Sequence, residues 1–294
     1  MVTNNVLDTA VVFEGGGMRA SYSAGVLVAL LEAGVHSDFV AGISAGSTCT
    51  VNYVTRDRER ARRSFIEFVA EPNFGGLHTF LTGKGMFSAE WIYEHTSAPG
   101  QALPFDWQAW ESSPTRVAIG ALRCEDGETV YWSKEDLSTM PDLMKRVRAS
   151  SSMPILMPLT TIDGNDYVDG ALGSSGGIAL DAAEAAGFER FLVVLTRERS
   201  YRKTRPVNEL LYRTWFRRYP AVAEAIMTRH ERYNASLEKL AEYEREGRAM
   251  VLAPENMPIQ NSERNIKRLR AVFEQGRGQA RRQMGAIREF VGLE

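Results

Sequence analysis

The chain has 294 residues, 44% hydrophobic and 24% charged, with a net charge of −2 at pH 7. That is enough apolar material for a sizeable core and too little positive charge for nucleic acid to be the main partner. Two cysteines, Cys49 and Cys124, exclude a disulfide framework and a cysteine-based zinc site; with no basic leader and no run of about 18 apolar residues, a cytoplasmic protein is expected.

Thr9 to Phe13 is β-branched and apolar and predicts a buried strand. Glu14-Gly15-Gly16-Gly17 interrupts it, and Met18 to Glu32 carries a helical pattern that Ala33-Gly34 closes. Asp38 to Ala41 predicts a second buried strand. It leads into Gly42-Ile43-Ser44-Ala45-Gly46 and a helix from Ser47 onward. Strand, glycine loop, helix and strand make a βαβ opening, which points to a parallel sheet with helices on its faces. Arg56 to Ala70 reads as an amphipathic helix with Phe65, Ile66, Phe68 and Val69 inward. Residues 71–114 lack periodicity and are rich in aromatics, among them Phe74, Phe80, Phe87, Trp91, Tyr93, Phe105, Trp107 and Trp110. A stretch of this kind often covers a pocket.

Thr115–Arg123 and Thr129–Trp132 flank Asp126-Gly127 and predict a hairpin. A helix is expected over Pro141–Ser150, and two short strands within Thr160–Val168 around Asp163-Gly164-Asn165. Asp169-Gly170-Ala171 follows, then small residues to Gly177, a helix over 178–186 and a buried strand over 191–195. Residues 205–247 are helical and charged, Ala249–Leu252 suits a last short strand, and 261–291 reads as polar helices. The expected organisation is a catalytic α/β domain over 1–200, with a helical C-terminal extension over 201–294 packed on it.

Three pieces carry chemistry, each at a strand-to-loop junction, and in a parallel sheet such junctions meet at the carboxyl edge. Gly42 and Gly46 flank Ser44 in a Gly-x-Ser-x-Gly pattern. Between strand and helix that pattern sets a serine on a sharp turn at a helix N-terminus. Gly15, Gly16 and Gly17, with Met18, offer unobstructed backbone N–H groups suited to an oxyanion. Asp169 supplies a carboxylate able to accept a hydroxyl proton.

With these motifs in this order, the first 195 or so residues resemble the patatin-like phospholipase family. Its marks are a Gly-Gly-Gly-x-Arg/Lys-Gly loop, a Gly-x-Ser-x-Gly serine and an Asp-Gly-Gly/Ala aspartate. Two departures stand out: Ala20 where that loop usually ends in glycine, and Leu172-Gly173-Ser174-Ser175-Gly176-Gly177 where a proline-containing turn often follows. The resemblance implies a three-layer α/β/α sandwich with a mostly parallel central sheet. It also implies a lipid acyl-ester hydrolase using a Ser44–Asp169 dyad without histidine, cofactor or metal. Arg19 would anchor the glycine loop.

Rival readings are a lipid-binding scaffold of the same fold, a Ser–His–Asp esterase and a dinucleotide site. The esterase would need His230, because His36, His78 and His95 precede the acid. Gly15-x-Gly17-x-x-Ala20 fits a dinucleotide loop, but the second strand ends in Gly42-Ile43-Ser44 rather than an acid. Residues 197–219 interleave eight basic residues with aromatic and aliphatic ones. They read either as a peripheral docking segment for anionic membrane or as a solvated basic helix packed on the chain's own acids. Met140, Met144, Met153 and Met157, with the aromatics of 74–110, are candidates for an acyl pocket. Asp163, Asp166 and Asp169 near one turn are read as solvent-facing acids rather than metal ligands.

Overall fold

The computed structural model describes residues 2–75 and 87–294. Phe80 and His78 therefore lie outside the described residues. Eight strands form one sheet: β1 (Thr9–Phe13), β2 (Phe39–Ile43), β3 (Arg116–Arg123), β4 (Thr129–Trp132), β5 (Thr160–Ile162), β6 (Asn165–Asp169), β7 (Arg190–Val194) and β8 (Ala249–Leu252). The order is β5-β6-β3-β2-β1-β7-β8, with β4 also on β3. β3, β2, β1, β7 and β8 run parallel; β4, β5 and β6 pair antiparallel.

Both faces of the parallel part are buried, which is why its strands read as continuous apolar runs. Val11 and Phe13 of β1, with Leu192 and Val194 of β7, pack against α1 (Ser21–Glu32) and α9 (Ile266–Arg282). The alternate residues Ala10, Val12, Phe191 and Val193 pack against α6 (Leu180–Ala185) and α8 (Pro220–Arg245). The result is a three-layer α/β/α sandwich with a mostly parallel sheet.

Residues 201–294 supply the C-terminal helices and one strand of the sheet. β8 is an edge strand of the sheet, α8 belongs to one outer layer and α9 to the other. The helical stretch 205–247 is broken into α7 (Glu209–Trp215) and α8, with Pro220 in the first turn of α8. The helix expected over 56–70 is the shorter α3 (Arg58–Phe65), capped by the Asp57 carboxylate on the Arg60 N–H. Phe65, Ile66, Phe68 and Val69 are all buried as expected. The other helices are α2 (Ala45–Val54), α4 (Trp107–Ser112), α5 (Met140–Ser150) and α10 (Met284–Phe290).

Pairing on β3 explains the position of the site. One flank of β3 is taken by β4, which opposes Ile119 to Leu122. On the other flank β2 reaches as far as Gly120, opposite Ile43. Beyond it β6 takes over, with Asp169 opposite Ala121. β2 and β6 thus approach end to end along one flank of β3, and the residues at their meeting point are Ser44 and Asp169.

Candidate active site

Ser44 sits at φ 57°, ψ −128°, a strained conformation for a residue with a side chain. Its neighbours hold it there. The Ser44 N–H donates to Ser150 Oγ at 2.8 Å, and Ser150 Oγ donates to the Gly120 carbonyl at 2.6 Å. The Ser44 carbonyl accepts from the Ser47 N–H at 2.9 Å and the Ser47 hydroxyl at 2.6 Å. Gly42 and Gly46 are required by close approach: a Cβ on Gly42 would lie 2.2 Å from the Gly46 carbonyl oxygen, and one on Gly46 2.1 Å from that of Phe13.

The Ser44 hydroxyl donates to Asp169 Oδ2 at 2.8 Å, and Asp169 Oδ1 accepts the Ala171 N–H at 2.9 Å. Ser44 is 6% exposed and Asp169 5%. Burial pushes the Asp169 carboxyl above its usual range; the nearby Arg229 charge and the two hydrogen bonds oppose that rise. Among the described residues no histidine bonds to either. His230 lines the adjoining cavity, but its Nδ1 faces the Met227 carbonyl at 2.9 Å.

The glycine loop lies against the same space, and its four N–H groups differ. That of Gly15 donates to the Gly177 carbonyl at 3.1 Å and that of Met18 to the Asn261 carbonyl at 2.9 Å. The N–H groups of Gly16 and Gly17 have no acceptor among the described residues. Gly17, at φ 55°, is in the left-handed region, and a Cβ there would meet the Asn261 carbonyl oxygen at 2.5 Å.

Arg19 does not tether this loop through its side chain, contrary to expectation. Its guanidinium has no hydrogen bond or ion pair among the described residues, its Nε is buried without an acceptor, and it lines a cavity. The anchor is Glu14, 3% exposed. Its carboxylate accepts from the Thr196 N–H and, at 2.9 Å, from the Tyr233 hydroxyl of α8, while Thr196 Oγ1 donates to the Gly15 carbonyl at 3.0 Å.

Two cavities meet at Ser44. The first, about 760 Å³ including its open end, is apolar. Phe65, Phe68, Phe74, Phe87, Ile92 and Leu103 line it, together with Met144, Met153 and Met157. Met140 lies elsewhere, beside Phe105 and Trp107. The second, about 1220 Å³ on the same measure, runs past Gly16, Gly17 and Asp169 to Arg19, Lys203 and Arg229.

The unexpected Leu172–Gly177 run has a structural role: it seats α8. Arg232 Nη2 donates to the Leu172 carbonyl at 2.9 Å, Ser236 Oγ to that of Ser175 at 3.0 Å and Arg229 Nε to that of Gly176 at 3.2 Å. A Cβ on Gly176 would lie 2.5 Å from the Tyr233 nitrogen, so glycine allows the helix to approach.

No group of three or more His, Cys, Asp or Glu side chains suited to a metal occurs among the described residues. Asp166 is engaged by Thr161 and Tyr219. No helix among the described residues is long and apolar enough to cross a membrane.

A parallel sheet covered on both faces, with a strained serine and a buried aspartate at its carboxyl edge, defines the class: an α/β protein with a pocket at the strand ends. The sequence profile of the patatin-like phospholipase family matches residues 11–182, more than half of the chain, which therefore belongs to that family. Residues 219–292 match a second profile, described as a domain of unknown function (DUF6363). The uncharacterized protein YjjU of Escherichia coli strain K12 is 27% identical over 190 residues, 64% of this chain and 51% of that protein. The chain thus spans about half the length of this curated relative. Among solved structures, VipD from Legionella pneumophila superposes with a TM-score of 0.51 at 12% identity, covering 95% of this chain and 67% of VipD. Human GIVD cytosolic phospholipase A2, in complex with methyl gamma-linolenyl fluorophosphonate, gives 0.47 at 13% identity, covering 98% and 58%.

Proposed function

We propose that the protein is a lipid acyl-ester hydrolase of the phospholipase A or lysophospholipase type, working through a Ser44–Asp169 dyad. The observation that carries this reading is the 2.8 Å hydrogen bond from a strained, buried serine to a buried carboxylate, where an apolar and a polar cavity meet. Ser44 Oγ attacks the acyl carbonyl as its proton passes to Asp169 Oδ2. The oxyanion forms against the N–H groups of Gly16 and Gly17, the two of the loop without acceptors among the described residues. The ester C–O bond breaks and the leaving alcohol takes the proton from Asp169. Water then gives a proton to Asp169 and attacks the acyl–Ser44 ester, and Ser44 departs with that proton. The fatty acyl chain occupies the apolar cavity.

A fluorophosphonate probe is expected to label Ser44 in the wild type and not in Ser44→Ala, with nitrophenyl-ester turnover lost in the same variant. Absence of labelling and turnover in the wild type would favour a non-catalytic lipid-binding protein.

The segment 197–219 divides between the two readings of its sequence. Arg199 pairs with Glu244, and Arg213 with Glu209 and Glu224, as in a surface that serves the chain's own fold. Val207, Leu210, Leu211 and Trp215 are instead 92%, 80%, 50% and 58% exposed. They lie on or just before α7, whose Tyr212 lines the polar cavity. This apolar patch beside Arg217 and Arg218 suits insertion into an anionic lipid surface at the mouth of the site. Vesicles containing phosphatidylglycerol are expected to sediment with the wild type more than neutral vesicles do. Leu210→Glu with Trp215→Glu is expected to reduce that binding at least about tenfold, since two apolar side chains that would insert into the lipid are lost. Undiminished binding by the double variant would remove the patch from the reading.

A further inference from the structure

We propose that Arg19, Lys203 and Arg229 form an anion site that receives the phosphate of a net-negative lipid head group. The inference rests on the hydrolase reading. If the apolar cavity takes the acyl chain, the alcohol side of the ester extends into the cavity these three cations line.

Some arginines of the chain pair with carboxylates, such as Arg148 with Glu94 and Arg277 with Glu32, and others, such as Arg60 with Asn52, are bonded to uncharged groups. Among the described residues Arg19, Lys203 and Arg229 have no carboxylate partner, although all three face one cavity. The Arg19 Nε is buried without an acceptor. Glu14, whose charge acts on both Arg19 and Lys203, has its oxygens engaged by Thr196 and Tyr233. Burial and the nearby Arg229 and Arg19 charges depress the Lys203 ammonium to about 8.

The site is built before any ligand arrives. Asn234 of α8 fixes the Lys203 backbone in both directions, accepting its N–H at 2.9 Å and donating to its carbonyl at 3.0 Å. Lys203 Nζ lies 5.9 Å from the Tyr201 ring centre and 5.4 Å from that of Tyr233. Arg229 is held by the Gly176 carbonyl. Lys203 and Arg229 both lie outside residues 11–182, so the head-group wall comes from the C-terminal part of the chain. Cations with no free carboxylate among them match a phosphate and disfavour a head group that adds its own positive charge.

The test compares lysophosphatidic acid, lysophosphatidylcholine and monoacylglycerol of one short acyl chain, all below micelle-forming concentration, on wild type, Lys203→Gln and Arg19→Gln. Wild type is expected to prefer lysophosphatidic acid, in kcat/KM, over both others by about tenfold or more. The ratio to monoacylglycerol is expected to fall roughly tenfold in each variant, as for loss of one charged hydrogen bond. A wild-type ratio near one, or a ratio unmoved in both variants, overturns the site while leaving ester hydrolysis intact. If no ester is cleaved and Ser44 is not labelled by fluorophosphonate, the hydrolase reading fails, and calorimetry then decides the anion site. Glycerol 3-phosphate binding that weakens in Lys203→Gln sustains it. No binding, or inorganic phosphate binding that is indifferent to the variant, overturns it.

Discussion

Asp169→Asn is expected to lower kcat/KM by roughly 10³-fold or more while raising the melting temperature, and the two effects share one cause. Asp169 is buried, and burial raises its pKa above the ordinary carboxylate value. Ionising Asp169 therefore costs more in the fold than in the unfolded chain. Linkage fixes the sign. A folded pKa above the unfolded one gives stability that is complete below the unfolded pKa and lost as pH rises through the folded one. Asparagine imitates the neutral form at every pH. Its Oδ1 can accept the Ala171 N–H while its Nδ2 donates to Ser44 Oγ, so both present contacts keep a counterpart. Each kcal/mol relieved is roughly 2 °C in a chain of this size. The gap between variant and wild type should close on acidification, as Asp169 itself takes up a proton.

Activity follows the carboxylate form, so the acid limb of kcat/KM should lie above the ordinary aspartate pKa of about 3.9. Arg229 opposes the rise, and Arg229→Gln should move that limb to higher pH. Melting curves across pH and rate profiles on a soluble ester check both halves. Retained turnover would remove Asp169 as the base. A lower melting temperature would mean that its charge is a net stabiliser.

How much of this could be read beforehand depended on distance along the chain. Gly42–Gly46 and Asp169-Gly170-Ala171 are local strings whose meaning lies in their own backbone, and their order pointed to the sandwich. The end-to-end meeting of β2 and β6 on β3 has no local sign, because it depends on where each strand stops along a shared neighbour. Ser150 reaches Ser44 across 106 residues and looks in sequence like one more serine at a helix end. Glu14, beside three glycines, carries no local signal of its role, and the family pattern points to Arg19 as the anchor instead. The largest gap was the C-terminal part. Asn261, Tyr233, Asn234 and Arg229 are polar residues in helical or turn-like sequence, where a solvated face is the ordinary meaning. Their contacts with Gly17, Glu14, Lys203 and Gly176 make that part a wall of the site.

That dependence of the site on the C-terminal part leads to an expected difference between two glycines of α9. α1 and α9 cross at touching backbones. A Cβ on Gly25 would lie 2.0 Å from the Phe273 carbonyl oxygen, and one on Gly276 2.1 Å from that of Tyr22. The obstacle is main chain on both sides, so no side-chain rotation relieves it, and the helices must separate. Gly276→Ala is expected to cost about 3 kcal/mol or more, at the upper end of overpacking. Separation would also strain the buried bond from the Tyr22 hydroxyl to Gln279 Oε1, 3.0 Å long. Gly278 lies two residues on in the same helix, and its nearest obstacle is the far end of Arg282 at 3.4 Å. There alanine meets little resistance and removes the helix-interior penalty of glycine, so Gly278→Ala is expected to stabilise by about 0.5–1 kcal/mol. Chemical denaturation of the two variants checks the opposite signs. Equal effects would mean that α9 does not rest on α1 as described. The crossing also reaches the chemistry. α9 begins after Asn265, whose side chain caps the helix, and Asn261 just before it clamps Gly17 and the Met18 N–H. Gly276→Ala should therefore lower ester turnover at temperatures well below its melting point, where Gly278→Ala leaves turnover at the wild-type level.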